Sequence, residues 1–181
     1  MEKIDQRKEE DDETQREKEK NGAIFTAFDS LDSKFQSSKI GYFQDNFLDR
    51  MHDELMRKGL RPAKRPPIIN KGYYIRILAF QRTISSFINA SNGNIQLIFL
   101  GCGYDPFPLK LLQEWSTIRV DEADYPEVIE NKRNIYSSWG ESGQVLPHLF
   151  EVDLNEGEHL ITTLTNNLNA FCLPYKQSKE V

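Results

Sequence analysis

Two glycines and a carboxylate carry most of the chemical content of this sequence. Gly101-Cys102-Gly103 follows the apolar run Ile95 to Leu100. Asp124 closes a second run about 20 residues further on. Glycine lets backbone approach a ligand where a Cβ would clash. With two parallel strands side by side, this spacing brings the end of the second strand beside the glycine turn. A carboxylate at that point accepts hydrogen bonds from both hydroxyls of a ribose, so the unit points to a nucleoside ligand. A dinucleotide site would carry a third glycine, and Tyr104-Asp105-Pro106 stands in its place. The short Gly-x-Gly fits S-adenosylmethionine better than a pyrophosphate, because that cofactor has no phosphate to seat on a helix N-terminus. Alone, the two glycines also read as a tight turn between strand and helix. The flanking elements and Asp124 favour the nucleoside.

The elements that position these residues follow from periodicity. Ile95 to Leu100 reads Ile-Gln-Leu-Ile-Phe-Leu, the pattern expected of a strand buried on both faces of a parallel sheet. Leu109, Leu111, Leu112 and Trp115 predict a short helix after the glycines. Thr117 to Asp124 is a second strand, unusually polar because Asp121 and Glu122 interrupt it. Pro126 to Tyr136 reads as a helix, His148 to Leu154 as a third strand and Leu160 to Leu168 as a further helix. Upstream, Ile24, Phe25, Phe28 and Leu31 recur at helical spacing, and Phe43, Phe47, Leu48, Met51, Leu55 and Met56 form a second stripe. The basic run Arg57, Lys58, Arg61, Lys64, Arg65 ends in Pro66-Pro67, which are expected to break any helix and force an extended connection. A third helix is expected from Asn70, with Tyr73, Ile77, Phe80, Ile84, Phe87 and Ile88 on one face. The alternation implies an α/β fold with about three parallel strands, preceded by a helical N-terminal segment.

Composition narrows the function classes. Residues 1–21 alternate acids, bases and glutamines with almost no hydrophobes, and read as a disordered arm or a solvated helix, or else an acidic interaction tail. Residues 22–181 then make one domain. The net charge of −5 argues against nucleic-acid binding by bulk charge, while leaving room for a local basic patch. With only Cys102 and Cys172 and no Cys-x-x-Cys pair, neither a disulfide scaffold nor a zinc site is expected, and no metal is expected elsewhere. His52, His148 and His159 show no ligand spacing and read as structural or surface residues. Trp115 and Trp139 read as packing. The N-terminus has no signal-peptide core and no run approaches a membrane span, so the expected location is cytoplasmic, or otherwise nuclear.

Two motifs sharpen the reading. Arg65-Pro66-Pro67-Ile68-Ile69-Asn70-Lys71-Gly72-Tyr73-Tyr74-Ile75-Arg76, followed by Leu100-Gly101-Cys102-Gly103-Tyr104-Asp105-Pro106, resembles the leucine carboxyl methyltransferase family. The patterns Gly-Cys-Gly-Tyr-Asp-Pro-x-Pro and Arg-x-Pro-x-Ile-Asn-Lys-Gly-Tyr are most similar to the branch that synthesises wybutosine in tRNA. The other branch methylates the C-terminal leucine of protein phosphatase 2A. The resemblance runs from the region of Lys34 to that of Leu154. It implies a Rossmann-like class I methyltransferase fold that uses S-adenosyl-L-methionine. It also implies roles: Lys34 at the cofactor site, Arg76 gripping a cofactor carboxylate and ordering the substrate, and Gly101 against the cofactor backbone. Asp124 would bind the ribose, and Asp153 with Leu154 would hold the adenine. Each has a plainer reading. Lys34 is also explained as a surface lysine, Arg76 as an arginine that snorkels to water, and Asp153 as a helix cap.

The implied reaction is methyl transfer to a carboxylate, which is already ionised near neutral pH and needs no general base. Arg76 or Lys34 would orient carboxylates without acting as acid or base. The implied partner is phenylalanine tRNA, with the phosphatase 2A catalytic subunit as the alternative. The sequence departs from the family after Asp153, where no Glu-x-x-x-x-Tyr-like motif of a fourth strand follows. The expectation is therefore the N-terminal part of the fold, and an inactive fragment with a binding or regulatory role is the third reading.

Overall fold

The computed structural model describes residues 22–62, 64–92, 94–140, 143–155 and 157–169. The charged arm 1–21, the side chain of His159 and Cys172 lie outside those described. Three helices come first: α1 over residues 22–39, α2 (Asn46–Arg57) and α3 (Pro67–Ala90). Strand and helix then alternate through β1 (Ile95–Leu100), α4 (Phe107–Glu114), β2 (Ile118–Asp124), α5 (Pro126–Gly140), β3 (His148–Glu151) and α6 (Gly157–Asn169). The strands form one parallel sheet in the order β1-β2-β3. This is the Rossmann-like α/β arrangement expected. Among the described residues, no helix is long and apolar enough to cross a membrane.

Strand side chains alternate between faces, and the register decides what each face meets. Ile95, Leu97 and Phe99 align with Ile118, Val120 and Glu122. That face packs against α3 and α4 through Ile84, Ile88, Phe107 and Leu111. Leu149 of β3 continues the same face into a second core built by Phe28, Leu31, Leu48, Met51, Leu55 and Trp139. Burying an aliphatic side chain of this size stabilises by about 1.5–3 kcal/mol, so α1 and α2 are structural parts of the domain. On the opposite face Ala123, Phe150 and Val152 are covered by Leu160 and Leu164 of α6.

Four expectations are corrected. β1 is not buried on both faces, because Ile98 and Leu100 remain 38% and 49% exposed where no described helix covers them. Nor does the apolar stripe of α3 pack along its length: Ile84 and Ile88 meet the core, while Phe80 and Phe87 stay exposed. α3 also starts at Pro67 rather than Asn70, with Pro66 as the extended N-cap residue. Proline suits the first helical position because its fixed φ fits and its missing N–H would have no partner there. The third strand stops at Glu151. Val152 still donates to the Asp124 carbonyl at 2.9 Å, and the Asp153 carboxylate then accepts the Asn155 amide at 2.8 Å and turns the chain.

The acids inside β2 do not break it because both have partners. Asp121 accepts from Gln96 at 2.7 Å and from Arg119 Nη2 at 2.7 Å, and lies 3.1 Å from the His148 ring. Burial opposes its ionisation, but these donors outweigh it and hold the carboxyl below its ordinary value. Glu122 is fully buried against Lys132 of α5. His52 is likewise structural, bonded to Asp32 at 3.2 Å and stacked on Phe35. Trp139 is fully buried in the core.

Candidate functional site

The loop after β1 explains why glycines stand at positions 101 and 103. Both have positive φ, +66° and +52°, a region that side-chain-bearing residues rarely adopt. The amides of Gly101 and Cys102 donate to the Ala123 carbonyl at 2.9 and 3.1 Å. The loop therefore folds over the end of β2. A Cβ at Gly103 would meet Ala27 of α1 at 3.5 Å, so α1 seats directly on the turn.

This loop forms the floor of a cleft of about 660 Å³. Its walls come from α1, the start of α2 and the segment before it, α3, the first turn of α4 and the segments after β2 and β3. Lys34, Arg76, Gly101, Asp124 and Leu154, far apart in sequence, all line it. Leu154 reaches the floor, 3.6 Å from where a Gly101 Cβ would stand. Asp153, read as the adenine contact, is absent from the lining, and its carboxylate is engaged by the Asn155 amide.

Asp124 is held tightly. One carboxylate oxygen accepts the Gly103 amide at 2.6 Å and the other the Tyr125 amide at 2.7 Å. Each oxygen has a second lone pair, and the residue keeps 9% of its surface open. A vicinal diol reaching that edge finds two acceptors in fixed positions. The floor glycines leave room for a ligand backbone, so the residues present fit an adenosine-bearing sulfonium amino acid.

The sequence profile of leucine carboxyl methyltransferases matches residues 23–171. The chain belongs to the leucine carboxyl methyltransferase family. It is 29% identical to leucine carboxyl methyltransferase 1 of Caenorhabditis elegans over 133 residues, covering 72% of this chain and 39% of that protein. Identity is 30% to the Arabidopsis thaliana leucine carboxyl methyltransferase 1 homolog, covering 73% of this chain and 38% of that protein. Identity is also 30% to tRNA wybutosine-synthesizing protein 4 of Candida glabrata, over 56% of this chain and 16% of that protein. The chain thus spans well under half the length of these relatives.

The geometry adds residues that sequence reading passed over. Lys34 does not stand free in the cleft of this family member: its ammonium is paired with the Asp105 carboxylate. Asp105 also accepts the Phe107 amide at 3.2 Å, at the start of α4. Burial pushes Asp105 up, but the Lys34 ammonium and this amide outweigh it and hold the carboxyl low. Asp45 caps α2 through the Phe47 and Leu48 amides, both at 3.0 Å, on the same wall. Its own burial raises its pKa. Tyr125 also lines the cleft, and its hydroxyl accepts from Asn155 at 2.6 Å, linking the loops after β2 and β3. The sequence signal for Asp105 was its place two residues before an apolar helix, a pattern of helix N-termini. Among the described residues no cluster could hold a metal ion.

Proposed function

We propose that this chain carries the cofactor-binding part of an S-adenosylmethionine-dependent carboxyl methyltransferase that acts on the wybutosine precursor of phenylalanine tRNA. The single observation that carries the cofactor reading is Asp124. Its carboxylate is fixed by the Gly103 and Tyr125 amides on the cleft floor, beside Gly101 and Leu154. The motifs at Arg65 to Tyr73 and Gly101 to Pro108 support the tRNA branch.

When bound, the cofactor supplies a methyl group on a positively charged sulfur, an activated leaving group. The protein's part is placement. Asp124 takes the ribose hydroxyls, Leu154 gives the base an apolar surface, and Arg76 offers a planar pair of donors suited to a carboxylate. Lys34, tied to Asp105, contributes mainly by holding α1 against the floor. An ionised carboxylate acceptor needs no base, so rate comes from alignment and from exclusion of water.

A second reading is methylation of a C-terminal leucine carboxylate, as in protein phosphatase 2A. It is favoured by the greater share of this chain that aligns with the leucine carboxyl methyltransferase 1 relatives, 72% against 56%. Calorimetric titration with S-adenosylhomocysteine tests the shared site: saturable binding that Asp124→Ala abolishes supports it, and no binding by a folded chain rejects it. Transfer of labelled methyl to undermethylated phenylalanine tRNA, or to the phosphatase C-terminus, decides between the substrates.

A further inference from the structure

Lys132 of α5 is fully buried, as is its partner Glu122 of β2. An isolated ion in such surroundings is strongly disfavoured, and a well-packed apolar pair commonly serves stability as well or better. What the lysine offers instead is three donors in a fixed place, and all three are used. The ammonium donates to the Gly103 carbonyl at 3.1 Å, to the Asp105 carbonyl at 2.9 Å and to the Glu122 carboxylate. The Tyr136 ring lies alongside, 5.5 Å away. Neither Lys132 nor Glu122 lines the cleft.

The two carbonyls belong to the loop that forms the cleft floor. A trans peptide holds its C=O and N–H in opposite directions, so drawing the Gly103 carbonyl onto Lys132 turns the Tyr104 amide away from Lys132. The front of the same loop is held by the Ala123 carbonyl and the Asp124 carboxylate. Its rear is held by Lys132. We infer that Lys132 is a positioning residue: its buried ammonium sets the shape of the Gly101 to Asp105 loop, and ligand affinity depends on it without contact. Glu122 is the counter-ion that keeps this cation in the interior. The affinity part of this inference rests on the cofactor reading above, whereas the loop part does not.

The test uses the 181-residue chain and compares the double variant Lys132→Met/Glu122→Gln with Glu122→Gln alone. S-adenosylhomocysteine affinity, melting temperature and amide hydrogen exchange of residues 101–105 are measured on each. The double variant removes both buried charges together, so a cooperative melt is expected to survive. Its affinity is expected to fall about ten- to a hundredfold, the scale of a misplaced site, with accelerated exchange confined to the loop. Glu122→Gln keeps a side-chain acceptor and both carbonyl bonds but leaves the cation without its counter-ion, so its melting temperature is expected to fall while the folded chain retains binding and loop protection. A folded double variant with unchanged affinity and unchanged loop exchange overturns the inference. If that variant does not fold, Lys132→Arg takes its place; it keeps the charge but changes the donor geometry, and wild-type affinity with unchanged loop exchange in it overturns the inference equally. If the wild-type chain binds no S-adenosylhomocysteine and the double variant still shows accelerated loop exchange, the cofactor reading falls and the positioning role stands.

Discussion

The Asp124 carboxylate and the Gly103 amide are 2.6 Å apart, so the acid ending β2 and the turn following β1 form one mechanical unit. Two jobs are combined in one side chain: shaping the floor and presenting acceptors to the cleft. Asp124→Ala is expected to weaken S-adenosylhomocysteine binding at least tenfold and to lower stability by about 1.5–3 kcal/mol, the scale of hydrogen bonds to a charged group. Asp124→Asn keeps an acceptor for the Gly103 amide and is expected to restore much of the melting temperature but little of the affinity. Calorimetry beside thermal melting separates the two jobs. Equal recovery of both in the asparagine variant would mean that Asp124 only shapes the loop.

Arg76 presents the opposite case. It lies exposed on the cleft wall of α3 and belongs to no core cluster. Arg76→Ala is therefore expected to leave the melting temperature unchanged while affinity for the carboxylate-bearing ligand falls about tenfold or more. Arg76→Lys keeps the charge but not the planar pair of donors, so it is expected to recover only part. A thermal shift in either variant comparable to that of Asp124→Ala would place Arg76 in the fold instead of the site.

Periodicity and spacing made the element order legible, and the glycines with Asp124 marked the cleft. The rest was hidden for specific reasons. The run Ile95 to Leu100 reveals that each residue is apolar but not how many layers cover it, so the exposure of Ile98 and Leu100 had no sequence signal. Pro67 was read as a breaker because a helix interior excludes proline, whereas the first helical position accepts it. Asp121 and Glu122 looked anomalous in a strand because their partners lie elsewhere: Gln96 and His148 for one, Lys132 for the other. Lys132 falls inside the helix expected over Pro126 to Tyr136, where nothing in its spacing marks a partner. Only the third dimension shows it spanning from α5 to the loop after β1.

The Lys34 and Asp105 pair ties α1 to the cleft loop, with side chains 16% and 29% exposed. Lys34→Met strands Asp105 with fewer donors and is expected to cost about 1–3 kcal/mol, between the limits for surface and buried pairs. Asp105 is held low by Lys34 despite its burial, so its contribution is present above its unfolded value of 3.8 and lost as the pH falls below that value. Melting curves from pH 5 downward check this. The wild type should lose stability faster than Asp105→Asn, and the two curves should run parallel above pH 5. Parallel curves throughout would mean the pair adds nothing to the native state.

Glu122 gives the reverse dependence. Burial is the largest influence on it and pushes its carboxyl up from 4.5 to about 7, against the pull of Lys132. A folded-state value above the unfolded one means that the native state holds this proton more tightly. The associated stability is full below pH 4.5 and is lost as the pH rises toward 7. Its slope is at most about 1.4 kcal/mol per pH unit. Glu122→Gln has no such proton. Between pH 4.5 and 7 the wild type is therefore expected to lose stability relative to the glutamine variant, and the difference should level off above the upper value. Denaturant midpoints at half-unit pH steps measure it. A difference of opposite sign would show that the pull of Lys132 outweighs burial and holds the Glu122 carboxyl below 4.5.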